Sequence, residues 1–399
     1  MTQNQLDQLL FALVRAEPEM SDVLFVPGQP PQCAVHGRLR PHATDGIKVV
    51  TPELTAAMAD VLLGNCSLLA AHLRERGSCD GSYSPGGGAR FRSNIYRQSG
   101  HLAIVMRRLS NEIPELGALG LPAVVHQVVK EQSGLIFVTG ATGMGKTTTL
   151  AALLNEVNAT QDVHVVTLED PVEYVHQPRR ATFSHRELGR DFFSFSVGLK
   201  AALRQAPRVI LVGEIRDRET LEVALTAAET GHVVFTTLHT IDAGQTLNRI
   251  LGMFAQGEEP LVRQRLADTL RWVISQRLVP KIGGGLHLVA EIMGSNLRSR
   301  EVILLGESDQ RVLHDIIESS ASPYGWQSFE QALLRAHLDG QITEETAVLH
   351  STHKGKIRQA LDQARHGRRG TAADANSPGV PPPRMAQEGA LIRPAMLPA

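Results

Sequence analysis

The chain has few aromatic residues and few cysteines, and almost no net charge. Aromatics make up 4% of its 399 residues, too few for the platforms on which single-stranded bases stack. Forty lysines and arginines face 41 aspartates and glutamates, a formal net charge of −1. No overall basic field therefore draws a polyanion, and nucleic acid is not an expected partner. Cys33, Cys66 and Cys79 have no C-x-x-C spacing. They offer neither a zinc cluster nor a disulfide framework, and they fit a reducing cytoplasm. No apolar run approaches the ~18 residues that cross a bilayer. The opening Met-Thr-Gln-Asn-Gln lacks the basic segment of a signal peptide. Any membrane contact is expected to come through a partner.

Against these absences stands one dense motif. Gly140-Ala141-Thr142-Gly143-Met144-Gly145-Lys146-Thr147 follows the apolar run Leu135-Ile136-Phe137-Val138 and precedes a helix-forming run, Thr148 to Val157. Strand, G-x-x-x-x-G-K-[ST], helix is the context that a phosphate-binding loop requires. A loop binds a multivalent anion when many backbone N–H groups point inward, and glycines at 140, 143 and 145 let the backbone do so. The helix behind adds its positive end. Lys146 is placed to reach the β- and γ-phosphates of a nucleotide, and Thr147 to offer its hydroxyl to Mg²⁺. A Gly-rich connection without function would leave the Lys-Thr pair unexplained.

Three further stretches surround this one. Val209-Ile210-Leu211-Val212-Gly213-Glu214 is an apolar strand ending in an acid, the pattern that places a carboxylate beside Mg²⁺ or the attacking water. Thr167-Leu168-Glu169-Asp170-Pro171-Val172-Glu173-Tyr174 ends a second apolar strand in acids. Each acid alone reads as a helix cap or a solvated loop end. At strand ends beside a phosphate loop, Glu169, Asp170 and Glu214 together read as facing the phosphates, because open parallel sheets bind ligands outside their carboxyl ends. In Gly231-His232-Val233-Val234-Phe235-Thr236-Thr237-Leu238-His239 two histidines bracket one strand. His239, at the carboxyl end, is the candidate γ-phosphate sensor. His232 has two open readings, the nucleotide site or a helix C-terminus.

The organisation is α/β. Strands Leu135–Thr139, Val163–Leu168, Val209–Val212 and Val233–Leu238 alternate with helices, which predicts a mainly parallel sheet. The preceding ~115 residues read as a smaller α+β unit. It opens with a helix (Leu6, Leu9, Leu10, Leu13, Val14) and includes a strand at Ser21–Val26. A strand over Val35–Leu39 is interrupted at Gly37, and a helix is capped by Thr51 with Pro52 at its first position. Two strands within Ala89–Leu109 join near Gln98-Ser99-Gly100. Pro114, Gly117 and Gly120 mark a linker. The predicted division is 1–113, a linker at 114–121, an α/β domain carrying the phosphate loop over 122–367 and a disordered Pro/Gly/Ala-rich tail over 368–399.

The four boxes in this order (G-x-T-G-x-G-K-T, T-L-E-D-P-V-E-Y, L-V-G-E-I-R-D and T-G-H-V-V-F-T-T-L-H-T) resemble the secretion ATPase superfamily of type II and type IV secretion and type IV pili. They look most like its PilT/PilU branch, the pilus retraction motors. The likeness runs over about 1–350. It includes Arg90-Phe91-Arg92 and the Tyr324-Gly325-Trp326-Gln327-Ser328-Phe329-Glu330 segment.

The resemblance implies a homo-hexameric ring of PAS-like N-terminal and RecA-like ATPase domains that hydrolyses ATP with Mg²⁺. Such a ring would lie in the cytoplasm against an inner-membrane pilus platform protein, with a paralogous pilus ATPase as a further partner. It assigns the nucleotide to residues 140–148 (Gly140 through Lys146, Thr147 and Thr148), with Lys146 catalytic. Glu214 is the essential carboxylate, and Glu169, Asp170 and Glu173 form an aspartate box. Thr147, Glu214 and Asp170 hold the metal, partly through water. His232 and His239 form a histidine box, and Arg92 and Arg107 complete the site from the N-terminal domain. A guanidinium suits a highly charged phosphoryl-transfer transition state. On the residues alone, Arg90, Arg92, Arg97, Arg107 and Arg108 also read as solvating two strands.

Four departures stand out. Met144 replaces a small Ser or Thr, Arg208 replaces an acid, and His185-Arg186-Glu187 stands for Gln-Arg-Glu. Val312–Glu318 lies where the Ala-Ile-Arg-Asn-Leu-Ile-Arg-Glu retraction motif is expected. Two alternatives to retraction therefore stay open: a pilus-assembly or type II secretion ATPase, and an accessory ATP-binding ring subunit. The assembly and secretion motors often carry a long N-terminal domain and a tetracysteine insert, and this sequence has neither.

Overall fold

The computed structural model describes residues 1–42, 47–86 and 88–374. It builds two sheets. The first comprises β1 (Met20–Phe25), β2 (Gln32–Val35), β3 (Arg38–Pro41), β4 (Ser78–Tyr83), β5 (Arg90–Gln98) and β6 (His101–Leu109), in the order β3-β2-β1-β6-β5-β4. All its pairings are antiparallel. The interruption at Gly37 is a tight turn between β2 and β3, with φ 49° at His36 and 75° at Gly37. Ser99 and Gly100 turn β5 into β6 in the same left-handed way, the geometry that matches the twist of paired strands. Three helices pack here: Gln3–Ala16, Pro52–Leu63 and Ser67–Arg76. Thr2 and Gln5 cap the first reciprocally, and Thr51 caps the second with Pro52 following. Leu6, Leu10, Leu13, Phe25, Met58 and Phe91 meet in their core.

β5 shows how this unit serves the rest. Phe91, Ser93 and Ile95 are buried while Arg90, Arg92 and Asn94 are only half-buried. A strand's period of two therefore turns Arg90 and Arg92 away from the core.

The second sheet comprises β7 (Gly134–Thr139), β8 (His164–Glu169), β9 (Thr182–Glu187), β10 (Val209–Val212), β11 (Val233–Leu238), β12 (Leu270–Pro280) and β13 (Leu286–Met293). Its order is β13-β12-β7-β11-β10-β8-β9. Every neighbouring pair is parallel except β12 with β13. β7, β10 and β11 are buried along their whole length, as strands covered on both faces are. Three strands join the four expected: β9, β12 and β13. β8 also runs one residue past Leu168, so Glu169 belongs to the strand itself. The helix behind the phosphate loop spans Lys146–Thr160. Leu116, at the linker, is buried in the core of this larger unit. The last helix, Lys354–Asp374, runs past Arg368, where a tail is expected to begin. The rest of that tail lies outside the described residues. No helix among the described residues is long and apolar enough to cross a membrane. Cys33, Cys66 and Cys79 are all free thiols.

Candidate functional site

Because β7, β8, β10 and β11 run in one direction, their carboxyl ends open together onto a cleft of about 700 Å³. The first sheet supplies part of its wall through Arg92 and Arg107. The phosphate loop forms the floor. Gly140 sits at φ 145°, and a Cβ there would lie 2.6 Å from the Gln276 carbonyl of β12. Gly143 (φ 80°) and Gly145 (φ 81°) have open space and are needed for their left-handed backbone. Lys146 Nζ donates to the carbonyls of Gly140 at 2.8 Å and Ala141 at 3.0 Å. Burial pulls its pKa down, opposed by the Glu214 and Glu173 carboxylates. Thr142, Thr147 and Thr148 also line the cleft.

Lys146 and Glu214 stand on the same rim, joined by one imidazole. His239 Nδ1 lies 3.5 Å from Lys146 Nζ, and His239 Nε2 lies 3.3 Å from Glu214 Oε2. The tautomer with hydrogen on Nε2 serves both contacts. Arg216 pairs with Glu214 on its other oxygen. Burial would raise the Glu214 carboxyl, but Arg216 and His239 overcome it and hold the pKa below the ordinary value. Asp170 goes the other way. Burial raises it, Asp80 and Glu214 add to the rise, and Arg216 and Arg92 oppose it. Glu169 is 7% exposed, and one oxygen lies 4.0 Å from His185 Nδ1.

Arg92 and Arg107 are directly opposed across β5 and β6. Arg92 lies 3.6 Å from Asp80 and 3.9 Å from Glu173, and Arg107 Nε donates to Asp22 at 2.8 Å. Two groups tie the units beside them. Arg90 donates to the Glu173 and Val172 carbonyls at 2.8 and 2.6 Å. Glu187 accepts from the Ser82 amide at 3.1 Å through one oxygen and the Val172 amide at 3.2 Å through the other.

The structure decides between the two readings of His232, against its place in the nucleotide site, and places two of the departures. His232 precedes β11 at its amino end, opposite the cleft, with Nδ1 3.0 Å from the Ala227 carbonyl. It caps a helix, because parallel strands put the start of β11 on the far edge of the sheet. Arg208 is at that same far edge, donating to the Gly231 carbonyl and the Gln132 side chain. Met144 turns its sulfur to the Leu278 amide of β12, at 3.2 Å. Neither departure from the family pattern reaches the nucleotide cleft. Arg216, Arg90, Glu187 and Tyr174, whose hydroxyl lies 3.4 Å from Thr148 Oγ1, are contributors that the sequence does not single out. All four lie in or beside quoted motifs, but only the fold shows which way each points.

Residues 90–296 match the family described as Type II/IV secretion system protein. The chain is 41% identical over 268 residues to a protein of Pseudomonas aeruginosa named type IV pilus retractation ATPase PilT, covering 67% of this chain and 77% of that one. It is 34% identical over 342 residues to the type IV pilus ATPase PilU of the same organism, covering 85% and 87%. A crystal structure of the pilus retraction motor PilT with bound ADP matches at a TM-score of 0.78 and 36% identity, covering 88% of this chain and 98% of that one.

Proposed function

The chain belongs to the type II/IV secretion system protein family and is an ATPase, and from that premise we propose that it is the motor that powers type IV pilus retraction. The observation that carries this reading is the contact chain Lys146–His239–Glu214 at the lip of the sheet, facing Arg92 and Arg107 across one cleft.

ATP lies with its phosphates over residues 140–148. Lys146 leaves the loop carbonyls for the β- and γ-phosphates. Glu214, kept ionised by Arg216 and His239, orients the attacking water and accepts its proton. Glu169 supports that water, and His239 reports the γ-phosphate to both partners. Arg92 and Arg107 bring positive charge to the transferring group. The hydroxyl of Thr147 and the carboxylates of Asp170 and Glu214 are the hard oxygen donors that Mg²⁺ prefers, and the raised Asp170 is a group that gains from a cation. Those three residues would hold Mg²⁺, partly through water, and it would supply neutralising charge at the phosphates.

In this reading, closure of the 1–113 unit onto 122–367 about the 114–121 linker turns hydrolysis into movement. Six copies form a ring against an inner-membrane platform protein, in the cytoplasm, and membrane contact is indirect. An accessory role beside a paralogous motor is the second reading. It is motivated by Val312–Glu318, which stands where the retraction motif is expected. Turnover of the isolated protein separates the two. Lys146→Ala and Glu214→Gln should each lower phosphate release by at least about a hundredfold. Wild-type rates in either purified variant would refute the site. A deletion strain with excess surface pili and no twitching supports retraction, and bald cells support assembly.

A further inference from the structure

The C-terminal helices carry a cluster of ionisable groups that the nucleotide cleft does not use. His314 and Glu318 lie one turn apart on the helix Leu313–Ser319, so their side chains share a face. His314 Nε2 is 3.1 Å from Glu318 Oε1. It is 3.8 Å from Oε2 of Glu330, in the first turn of the helix Phe329–Leu338. His314 Nε2 and Glu330 Oε2 are both buried without a hydrogen-bond partner, and Glu330 as a whole is only 4% exposed. Its other oxygen is fully engaged, accepting from Ser351 Oγ at 2.9 Å and the His353 amide at 2.8 Å. The carboxylate is thus clamped with its bare oxygen turned to the imidazole. His314 Nε2 therefore lies within ion-pair range of two carboxylates without a well-formed hydrogen bond to either, an arrangement that a shared cation would satisfy.

We propose that His314, Glu318 and Glu330 bind a divalent first-row transition cation of the Zn²⁺ type. Ligand atoms bonded to a tetrahedral zinc stand about 3.3 Å apart, and the two separations from His314 Nε2 bracket that spacing. Asp315 joins His314 and Glu318 in a trio whose ligand atoms all lie within 4.8 Å of one another. Burial pulls the His314 pKa down against the pull of Glu318. Burial pushes Glu330 up, but the His353 amide and the Ser351 hydroxyl overcome it and hold its pKa below the ordinary value. One imidazole with carboxylates and no thiolate suits zinc better than Cu(I).

Lys356 is the competing cation. It donates to Asp315 Oδ1 at 2.7 Å and Glu318 Oε2 at 3.2 Å. Those are the outer oxygens, so Glu318 Oε1, Glu330 Oε2 and His314 Nε2 stay available, although Glu318 Oε1 also accepts from Ser328 at 3.0 Å. Such an ion would staple the helices Leu313–Ser319 and Phe329–Leu338 together and, through Glu330, the turn at Ser351.

The test is a titration of the full, nucleotide-free, chelator-stripped protein with Zn²⁺ against a chromophoric chelator, paired with thermal melting. Wild type should take up one equivalent more than His314→Ala or Glu318→Gln, with affinity at this site at least about a hundredfold higher. It should also melt higher with Zn²⁺ where the variants do not. Lys356→Met keeps all three ligands and should tighten binding, which guards against a variant that merely misfolds. Equal uptake by wild type and His314→Ala overturns the proposal, as does unchanged affinity in Lys356→Met. So does a melting temperature raised by acid but not by Zn²⁺, which would mean that a proton bridges the pair instead.

Discussion

Burial alone would make Glu214 a poor carboxylate, and Arg216 and His239 reverse that sign. The reversal has a kinetic consequence. Arg216→Ala removes the stronger of the two partners, so the Glu214 pKa rises and its ionised form is lost at a higher pH on acidification. The acid limb of the kcat–pH profile should therefore move to higher pH, read from phosphate release across the range. An unmoved limb would mean that a different carboxylate governs turnover. Glu214 was legible in the sequence because an acid just past four apolar residues, here after Gly213, is a strand-end signature. Arg216 was not, because a strand-to-helix loop can aim an arginine anywhere. Asp217, next to it, faces the other way and caps the helix Arg218–Glu229 through the Thr220 amide at 2.8 Å.

At the scale of elements, β7 and its loop are held against β12, and the glycines differ in what they protect. Gly143→Ala meets only backbone strain, about 1–2 kcal/mol in the left-handed region. Gly140→Ala adds a clash with the Gln276 carbonyl and should cost clearly more, measured by urea unfolding. Equal costs would count against the close approach of β12. β13 carries a second element-scale effect. Glu291 accepts from the Ala243 amide at 2.9 Å at the start of the helix Ala243–Leu251. Burial raises its carboxyl from 4.5 to about 8, with Asp242 and Glu330 adding to the rise. The folded chain then binds more protons than the unfolded one between these values, so stability is highest below about 4.5 and falls as pH rises through about 8. Glu291→Gln keeps an acceptor for Ala243 and removes the titration. Its melting temperature should overtake wild type increasingly across that window, and a pH-independent difference would contradict this. β12 and β13 escaped the sequence reading because short apolar runs do not separate strand from helix by period alone. β9 escaped because only Glu187, its last residue, is buried.

On the scale of the whole molecule, the nucleotide cleft exists only because two separately cored units meet along Arg90, Glu187 and their backbone partners. Arg190 adds to that seam by donating to the Ser82 carbonyl at 2.7 Å, and Cys66 Sγ by donating to the Gly189 carbonyl at 2.7 Å. If the first unit supplies transition-state charge, Arg92→Ala and Arg107→Ala should lower kcat by at least about a hundredfold. ATP binding, measured by fluorescent-nucleotide titration, should fall far less. If the arginines only solvate β5 and β6, both variants will turn over normally.

By itself the sequence determined the phosphate loop, the acids that end β8 and β10, and the α/β class. Those depend on residues close together in the chain, where apolar runs, glycine and turn chemistry act locally. Only the tertiary structure decided that His239 bridges Lys146 and Glu214 while His232 caps a helix on the far edge. It also turned Met144 and Arg208 away from the cleft and left Glu330 bare against His314. Each of these is set by the direction and order of strands and helices distant in sequence, and no local pattern encodes them.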